Sequence, residues 1–233
     1  MPSRAKAAFA LLLLAFTASS AGAQAPPPGF VDAATVADGL VVDMRYFGPN
    51  NFVGKKIDGY ERPRCLLSAP AANALAAVQR NLGARGLGLK VFDCYRPARA
   101  VAHFIRWARK ADDDPKRKAE YYPDIDKRDL FKLGYIAARS GHSRGSTVDL
   151  SLVRRADGTG LDSRELDMGT PHDFMSPKSW PSDRSVSAQA QSNRALLAEA
   201  MHRGGFQPYS KEWWHFTLAS EPFPDRYFDF PVR

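Results

Sequence analysis

The sequence predicts a single α+β domain, with an antiparallel central sheet and flanking helices. Two observations lead to this fold class. Strand-like and helix-like stretches alternate along the chain without the regular βαβ spacing of a parallel sheet. In addition, no internal repeat and no linker divides the chain, and the roughly 210 residues after the N-terminal segment suit one domain with a substantial core.

The predicted strands are short and apolar. Residues 36–46 alternate between apolar and polar side chains and end at the turn-forming residues 48–51. Residues 87–93 are an apolar run typical of a buried strand. Residues 147–152 follow a Ser/Gly-rich turn, and residues 213–218 are rich in aromatic side chains with high strand propensity.

Three segments carry helical patterns and two are predicted to be irregular. Residues 66–82 have apolar side chains at helical spacing and a high alanine content, and we also expect helices over 98–110 and 188–204. Residues 111–132 are polar and predict a surface excursion. Residues 154–186 are rich in Gly, Pro, Asp and Ser, so we expect a loop there.

The N-terminus predicts export. Arg4 and Lys6 precede an apolar run over 7–16 and small residues that end at Ala23, which is the pattern of a secretory signal peptide over 1–23. A membrane anchor is the alternative, but the run is shorter than the roughly 20 residues that span a bilayer. We expect cleavage after Ala23 and a periplasmic or secreted protein with no stable membrane insertion.

The mature chain is predicted to comprise an extended leader over 24–35 and one domain over 36–233. The formal charge of +8 falls to +6 when Arg4 and Lys6 are removed, and the remaining excess is spread along the chain. A nucleic-acid interface needs a basic stripe with interleaved aromatic residues, and the sequence contains none. The oligomeric state is not determined by the sequence.

The two cysteines, Cys65 and Cys94, form a possible disulfide. An even number of cysteines in an exported protein favours a bridge. Two separately buried thiols are the alternative. The pair lacks the C-x-x-C spacing of a zinc site.

Two segments hold a candidate metal site. A catalytic zinc ion takes three protein ligands and keeps one position open, and two imidazoles with one carboxylate leave it a strong Lewis acid. His142 and Asp149 are seven residues apart, with Gly145 between them to allow a turn. His215 is the third candidate ligand. Glu212, three residues before it, is placed to be the general base that takes a proton from water.

Each half of this pattern has an ordinary explanation. A pair such as His142 and Asp149 occurs by chance at this spacing. Glu212 and His215 could be polar residues beside a tryptophan pair packed in the core. Together, in an exported chain of this size, the two halves favour a hydrolytic metal site.

Several longer stretches match one family over nearly the whole mature length. The chain resembles the zinc D-alanyl-D-alanine dipeptidases in residues 51–55, 58–61, 93–97, 140–152, 173–175, 212–215 and 227–231. The resemblance implies the fold shared by D-Ala-D-Ala metallopeptidases, lysostaphin-like enzymes and the hedgehog signalling domain. It also implies hydrolysis of a small D-dipeptide, with one Zn²⁺ per chain on His142, Asp149 and His215 and with Glu212 as the base.

The resemblance also assigns residues around the substrate. Arg96 would stabilise the oxyanion, since a guanidinium offers a rigid fork of donors worth about 3–4 kcal/mol in such a role; a structural arginine in a turn is the alternative. Asp173 would bind the substrate ammonium, unless it only caps a loop. Tyr46, Tyr60 and Ser140 match positions around the small pocket.

Some features depart from the family pattern or leave the function open. Export predicts a role with cell-wall peptides, in recycling or scavenging, rather than in the cytoplasm. Gly141 could loosen the metal loop, and His172 could alter the charge of the pocket. A carboxypeptidase or endopeptidase acting on longer peptidoglycan stems is the alternative activity, and a zinc-bearing binding protein without activity is a third possibility.

Overall fold

A computed structural model describes residues 27–156 and 160–233. The predicted signal peptide, residues 1–23, lies outside the described residues. Among those that are described, no helix is long and apolar enough to cross a membrane.

The strands and helices follow one another along the chain as short elements. The strands are β1 (Phe30–Asp32), β2 (Val41–Val42), β3 (Leu66–Ser68), β4 (Leu87–Asp93), β5 (Thr147–Ala156), β6 (Gly160–Glu165), β7 (Phe206–Tyr209) and β8 (Glu212–Leu218). The helices are α1 (Ala69–Gly83), α2 (Ala98–Ala108), α3 (Pro115–Tyr121) and α4 (Ala188–Arg203).

The central sheet has the order β2-β4-β5-β8-β7, with β6 paired to β5. All of its pairings are antiparallel except the short parallel pairing of β2 with β4. Strands β1 and β3 form a separate antiparallel pair. Helices α1 and α4 pack against the sheet and each other, so the predicted α+β fold class is confirmed.

Helix α1 begins three residues later than the sequence pattern predicts. Pro70 stands in its first turn, where the missing N–H costs no hydrogen bond. A helix running through this position from residue 66 would need that N–H. The residues Leu66–Ser68 instead extend as β3 and pair with β1.

Two segments predicted to be irregular contain regular structure. The loop predicted over 154–186 includes the end of β5 and all of β6, which lies at the border of the sheet where a polar sequence is tolerated. The surface excursion over 111–132 includes α3, whose N-cap Asp114 accepts hydrogen bonds from the N–H groups of Lys116 and Arg117.

Packing extends into the segment predicted as a leader. Phe30 is buried and meets the rings of Tyr95, Phe228 and Phe230 edge-on, with centroids 4.9–5.4 Å apart. A Cβ at Gly145 would lie 2.3 Å from the Phe30 ring. The packed part of the chain therefore begins upstream of residue 36, and it supports the turn between two of the candidate metal ligands.

The Cys65–Cys94 disulfide is formed. Cys65 precedes β3, and Cys94 follows β4 directly. The bridge therefore ties the small two-stranded sheet to the end of the central strand that leads into the candidate site.

Candidate active site

Strand register brings three polar side chains into one row. Asp149 on β5 pairs with Asp93 on β4 and with His215 on β8. Directly paired residues on neighbouring strands project from the same face of a sheet. The row Asp93–Asp149–His215 is therefore set by backbone hydrogen bonding rather than by loop conformation.

His142 reaches this row from a short 3-10 turn, Gly141–Arg144. The Ser140 hydroxyl oxygen accepts a hydrogen bond from the His142 N–H at 3.3 Å, and Gly145 ends the turn with φ +81°. The His142 Nδ1–H donates to the Cys94 carbonyl oxygen at 2.7 Å. This bond orients the ring and leaves Nε2 free to bind a ligand.

The predicted metal ligands form a compact triangle. His142 Nε2 lies 3.3 Å from Asp149 Oδ1 and 3.3 Å from His215 Nδ1, and the last two atoms are 3.0 Å apart. Bonds of about 2.0–2.1 Å to a tetrahedral zinc ion would separate the ligand atoms by roughly 3.3 Å.

The hydrogen bonding of the triangle also fits a cation. Asp149 Oδ1 is buried and has no hydrogen-bond donor among the residues that the structure describes. Burial disfavours the charge of this carboxylate, but the surrounding histidines outweigh that effect and hold its pKa well below the usual range. The donor set therefore suits a divalent metal ion such as zinc.

Glu212 stands beside the triangle at the start of β8. Its Oε2 lies 3.5 Å from His215 Nδ1. Burial raises the pKa of Glu212 to about 7, and the nearby charges of Asp149 and Asp173 act in the same direction. A carboxylate with a pKa near neutrality can both accept and return a proton, as a general base requires.

Arg96 is held on the other side by Asp93. The Arg96 Nε–H donates to Asp93 Oδ2 at 2.8 Å, and an Arg96 terminal nitrogen lies 3.7 Å from Asp149 Oδ2. The rings of Tyr46 and Phe104 flank its guanidinium at 5.1 and 5.2 Å. The side chain is thus fixed against the cavity.

Tyr60 occupies a different place from the one that the resemblance implies. It is fully buried and does not line the cavity. Its hydroxyl donates to Asp93 Oδ1 at 2.6 Å, so Tyr60 lies behind the wall and holds the carboxylate that orients Arg96.

Asp173 lies on the cavity wall with Tyr46. The Tyr46 hydroxyl donates to Asp173 at 2.9 Å. Asp173 has φ +61°, a left-handed conformation that is costly for a residue other than glycine and often marks a functional position. Burial raises its pKa, although the nearby His172 and Arg96 act in the opposite direction.

His172 connects the two acids. Its Nε2 is buried, has no hydrogen-bond partner in good geometry, and lies 3.5 Å from Asp149 Oδ2. Its Nδ1 lies 3.5 Å from Asp173 Oδ2, and its ring stacks on Phe92 at 4.6 Å. His172 therefore lies beside the oxygen of Asp149 that faces away from the triangle.

These side chains surround one cavity of about 250 Å³. The lining residues predicted from the sequence are Tyr46, Arg96, Ser140, His142, Asp149, Asp173, Glu212 and His215. The site therefore suits a small polar solute.

The sequence pattern assigns no role to Asp93, although Asp93 begins the block Asp93–Pro97 that carries Arg96. Its signal was available in retrospect: an acid ending an apolar run is costly to bury unless it is paired. His172 was noted for its charge, but its contact with Asp149 depends on the tertiary structure.

Comparison with known proteins agrees with this geometry. A family model described as D-Ala-D-Ala dipeptidase, Peptidase_M15, matches residues 27–233. A D-alanyl-D-alanine dipeptidase of Streptomyces coelicolor is 43% identical over 204 residues, covering 87% of this chain and 96% of the relative. Its counterpart in Enterococcus faecium is 39% identical, covering 88% and 98%.

A third relative, the D-alanyl-D-alanine dipeptidase of Escherichia coli, is 37% identical and covers 81% of this chain and 83% of its own length. Among solved structures, the vancomycin-resistance D,D-pentapeptidase VanY in complex with Zn(II) is 16% identical, with a TM-score of 0.33 over 70% of this chain and 78% of its own. The family match and the curated relatives confirm the resemblance seen in the sequence. The chain belongs to the D-Ala-D-Ala dipeptidase family of M15 peptidases, which are metallopeptidase hydrolases.

Proposed function

We propose that this chain is an exported zinc dipeptidase that hydrolyses D-Ala-D-Ala to two molecules of D-alanine. One observation carries the proposal: three ligand atoms 3.0–3.3 Å apart share a small cavity with Glu212 and Arg96. The relatives named D-alanyl-D-alanine dipeptidase support the choice of substrate.

His142, Asp149 and His215 would hold one zinc ion per chain. When bound, zinc supplies a Lewis acid that makes water a stronger nucleophile and polarises a carbonyl group. The ligands themselves are held by the sheet register and by the His142–Cys94 hydrogen bond.

Glu212 would act as the general base. Its carboxylate takes a proton from the attacking water and passes that proton to the leaving amine of the second D-alanine. Its carboxylate lies 3.5 Å from His215 Nδ1, at the edge of the ligand triangle, which supports this role.

Arg96 and Asp173 would stabilise two different charges of the substrate: the negative charge that develops on the carbonyl oxygen and the positive charge of the ammonium. Arg96 donates hydrogen bonds to the carbonyl oxygen as negative charge develops there, and Asp93 keeps its guanidinium in place. Asp173 would pair with the free ammonium of the substrate, to which its carboxylate on the cavity wall offers a negative charge.

A substrate screen with metal analysis tests the proposal. We expect purified protein to contain about one zinc per chain and to cleave D-Ala-D-Ala in preference to L,D- and L,L-dipeptides. A chelator should abolish the activity, and added zinc should restore it. Faster cleavage of a pentapeptide stem than of the dipeptide would contradict a dipeptidase and favour a cell-wall carboxypeptidase.

We also propose that the mature protein acts outside the inner membrane. The charged start, short apolar run and small residues up to Ala23 support this location. Mass spectrometry of protein from a periplasmic fraction tests it. We expect a mature N-terminus at Gln24, whereas an intact Met1 in a cytoplasmic fraction would contradict export.

A further inference from the structure

The described lining of the cavity contains more acidic side chains than arginines. Its lining includes three acids, which are Asp149, Asp173 and Glu212. It also includes the two arginines Arg96 and Arg139. Arg96 is committed, because it donates to Asp93 at 2.8 Å and approaches Asp149 at 3.7 Å.

Arg139 is the cavity cation that remains available. Within the described parts of the chain, no carboxylate lies within ion-pair distance of it. Its guanidinium lies 5.0 Å from the ring centre of Tyr227, a cation–π contact that leaves its N–H groups free. Arg139 directly precedes Ser140, the cap of the turn that carries His142, so its backbone is anchored next to the reaction centre.

A dipeptide brings opposite charges to the two ends of such a cavity. Its ammonium and carboxylate lie roughly 7 Å apart when the chain is extended. The ammonium matches Asp173, whereas the carboxylate would be repelled by Asp173 and Glu212, the two lining acids that are not candidate metal ligands. A carboxylate moved out of water needs a counter-charge, and the planar fork of an arginine binds it with two parallel hydrogen bonds.

We infer that Arg139 binds the C-terminal carboxylate of the dipeptide and thereby gives the enzyme a preference for substrates with a free C-terminus. This inference rests on the proposed function. Arg139 and Asp173 then bind the two charged termini of the substrate, and the scissile bond lies between them at the ligand triangle. Substrates whose C-terminus is amidated or extended lose the Arg139 contact.

Two substrates and three variants test this role. We expect Arg139→Gln to lower kcat/KM for D-Ala-D-Ala by about 10- to 100-fold, the range for hydrogen bonds to charged groups, mainly through KM. For D-Ala-D-alaninamide, which has no carboxylate, Arg139→Gln and wild type should agree within about threefold. Arg139→Lys keeps the charge without the fork, so it should restore part of the loss.

Arg226→Gln is the matched control. Arg226 is also exposed and stacks on an aromatic ring of the same C-terminal segment, but it does not line the cavity. Its replacement removes the same charge and should leave both substrates unaffected. An equal loss for both substrates in Arg139→Gln, or no loss for either, would overturn the inference. If wild type cleaves neither substrate, the proposed function itself fails, and the inference fails with it.

Discussion

The floor and the wall of the cavity are built in different ways. The floor consists of Asp149, Glu212 and His215, which line the cavity, and of the buried Asp93, which does not; all four stand on adjacent strands and are placed by backbone pairing. The wall includes Arg139, Ser140 and Asp173, which stand on loops and are placed by a cap and a left-handed residue. Two of the three candidate metal ligands and the candidate base thus rest on strands, whereas His142, Arg96 and the residues of the wall stand on turns and loops, which vary more readily.

The two regions also differ in how their charges are satisfied. On the floor, the buried Asp93 accepts from both Tyr60 and Arg96, so each charge depends on its neighbour. On the wall, Arg139 is exposed and has no acidic partner among the described residues. Substitutions on the floor should therefore cost catalysis or stability, whereas those on the wall should change selectivity.

The largest effect is expected at the base. Glu212→Gln keeps the shape of the side chain but removes its ability to accept a proton, so kcat should fall by about 10²–10⁴-fold. Zinc content should be unchanged, because Glu212 is outside the ligand triangle. Steady-state kinetics and metal analysis measure the two quantities. Glu199→Gln on the exposed face of α4 is the control, and full activity in Glu212→Gln would rule out this base.

Asp93→Asn tests whether the floor depends on paired buried charge. The change leaves Arg96 without its anionic partner, so we expect a loss of about 3–5 kcal/mol in the free energy of unfolding. Urea unfolding measures it. Asp229→Asn, which breaks a half-exposed pair with Arg99, should cost no more than about 1 kcal/mol. Equal losses in the two variants would erase the energetic distinction between the buried and exposed pairs.

His172→Phe tests whether the contact of His172 with the candidate metal ligand Asp149 contributes to zinc affinity. Phenylalanine preserves the stacking on Phe92 but removes the nitrogen 3.5 Å from Asp149 Oδ2. Groups that support metal ligands typically contribute about 10- to 100-fold to affinity, and we expect a loss near the lower limit. Competition with a chromophoric chelator measures zinc affinity independently of turnover. His202→Phe on α4 is the control, and unchanged affinity in both variants would show that Asp149 needs no support.

The smallest effect concerns pH. Burial raises the pKa of Glu212 from 4.5 to about 7, and only the deprotonated form accepts a proton. A bound cation favours the carboxylate and lowers this pKa. We therefore expect kcat/KM to fall, by up to about tenfold per pH unit, below a midpoint between pH 4.5 and 7. A profile that stays flat from pH 7 to 4.5 would contradict the assignment.

Local sequence patterns predicted the long elements well and the short ones poorly. The apolar run of β4 and the aromatic run of β8 can be predicted as strands from the sequence, because their side chains are buried when the sheet forms. The edge strand β6 is polar, so its sequence resembles a loop. Strand β3 was merged with α1, since Leu66 and Leu67 continue the apolar spacing of the helix.

For the site, the sequence by itself determined the chemistry that is available: two histidines, an acid and a neighbouring glutamate in recognisable spacing, with the resemblance adding Arg96 and Asp173. Only the tertiary structure decided which groups meet. Tyr60 lies behind the wall, Asp93 is the partner of Arg96, and Arg139 lines the cavity with no acid at ion-pair distance among the described residues. The physical reason is that spacing along a chain restricts only near neighbours. Contacts between residues 33 to 127 positions apart, such as Tyr60 with Asp93 and Tyr46 with Asp173, depend on how strands pair and how side chains share a buried volume.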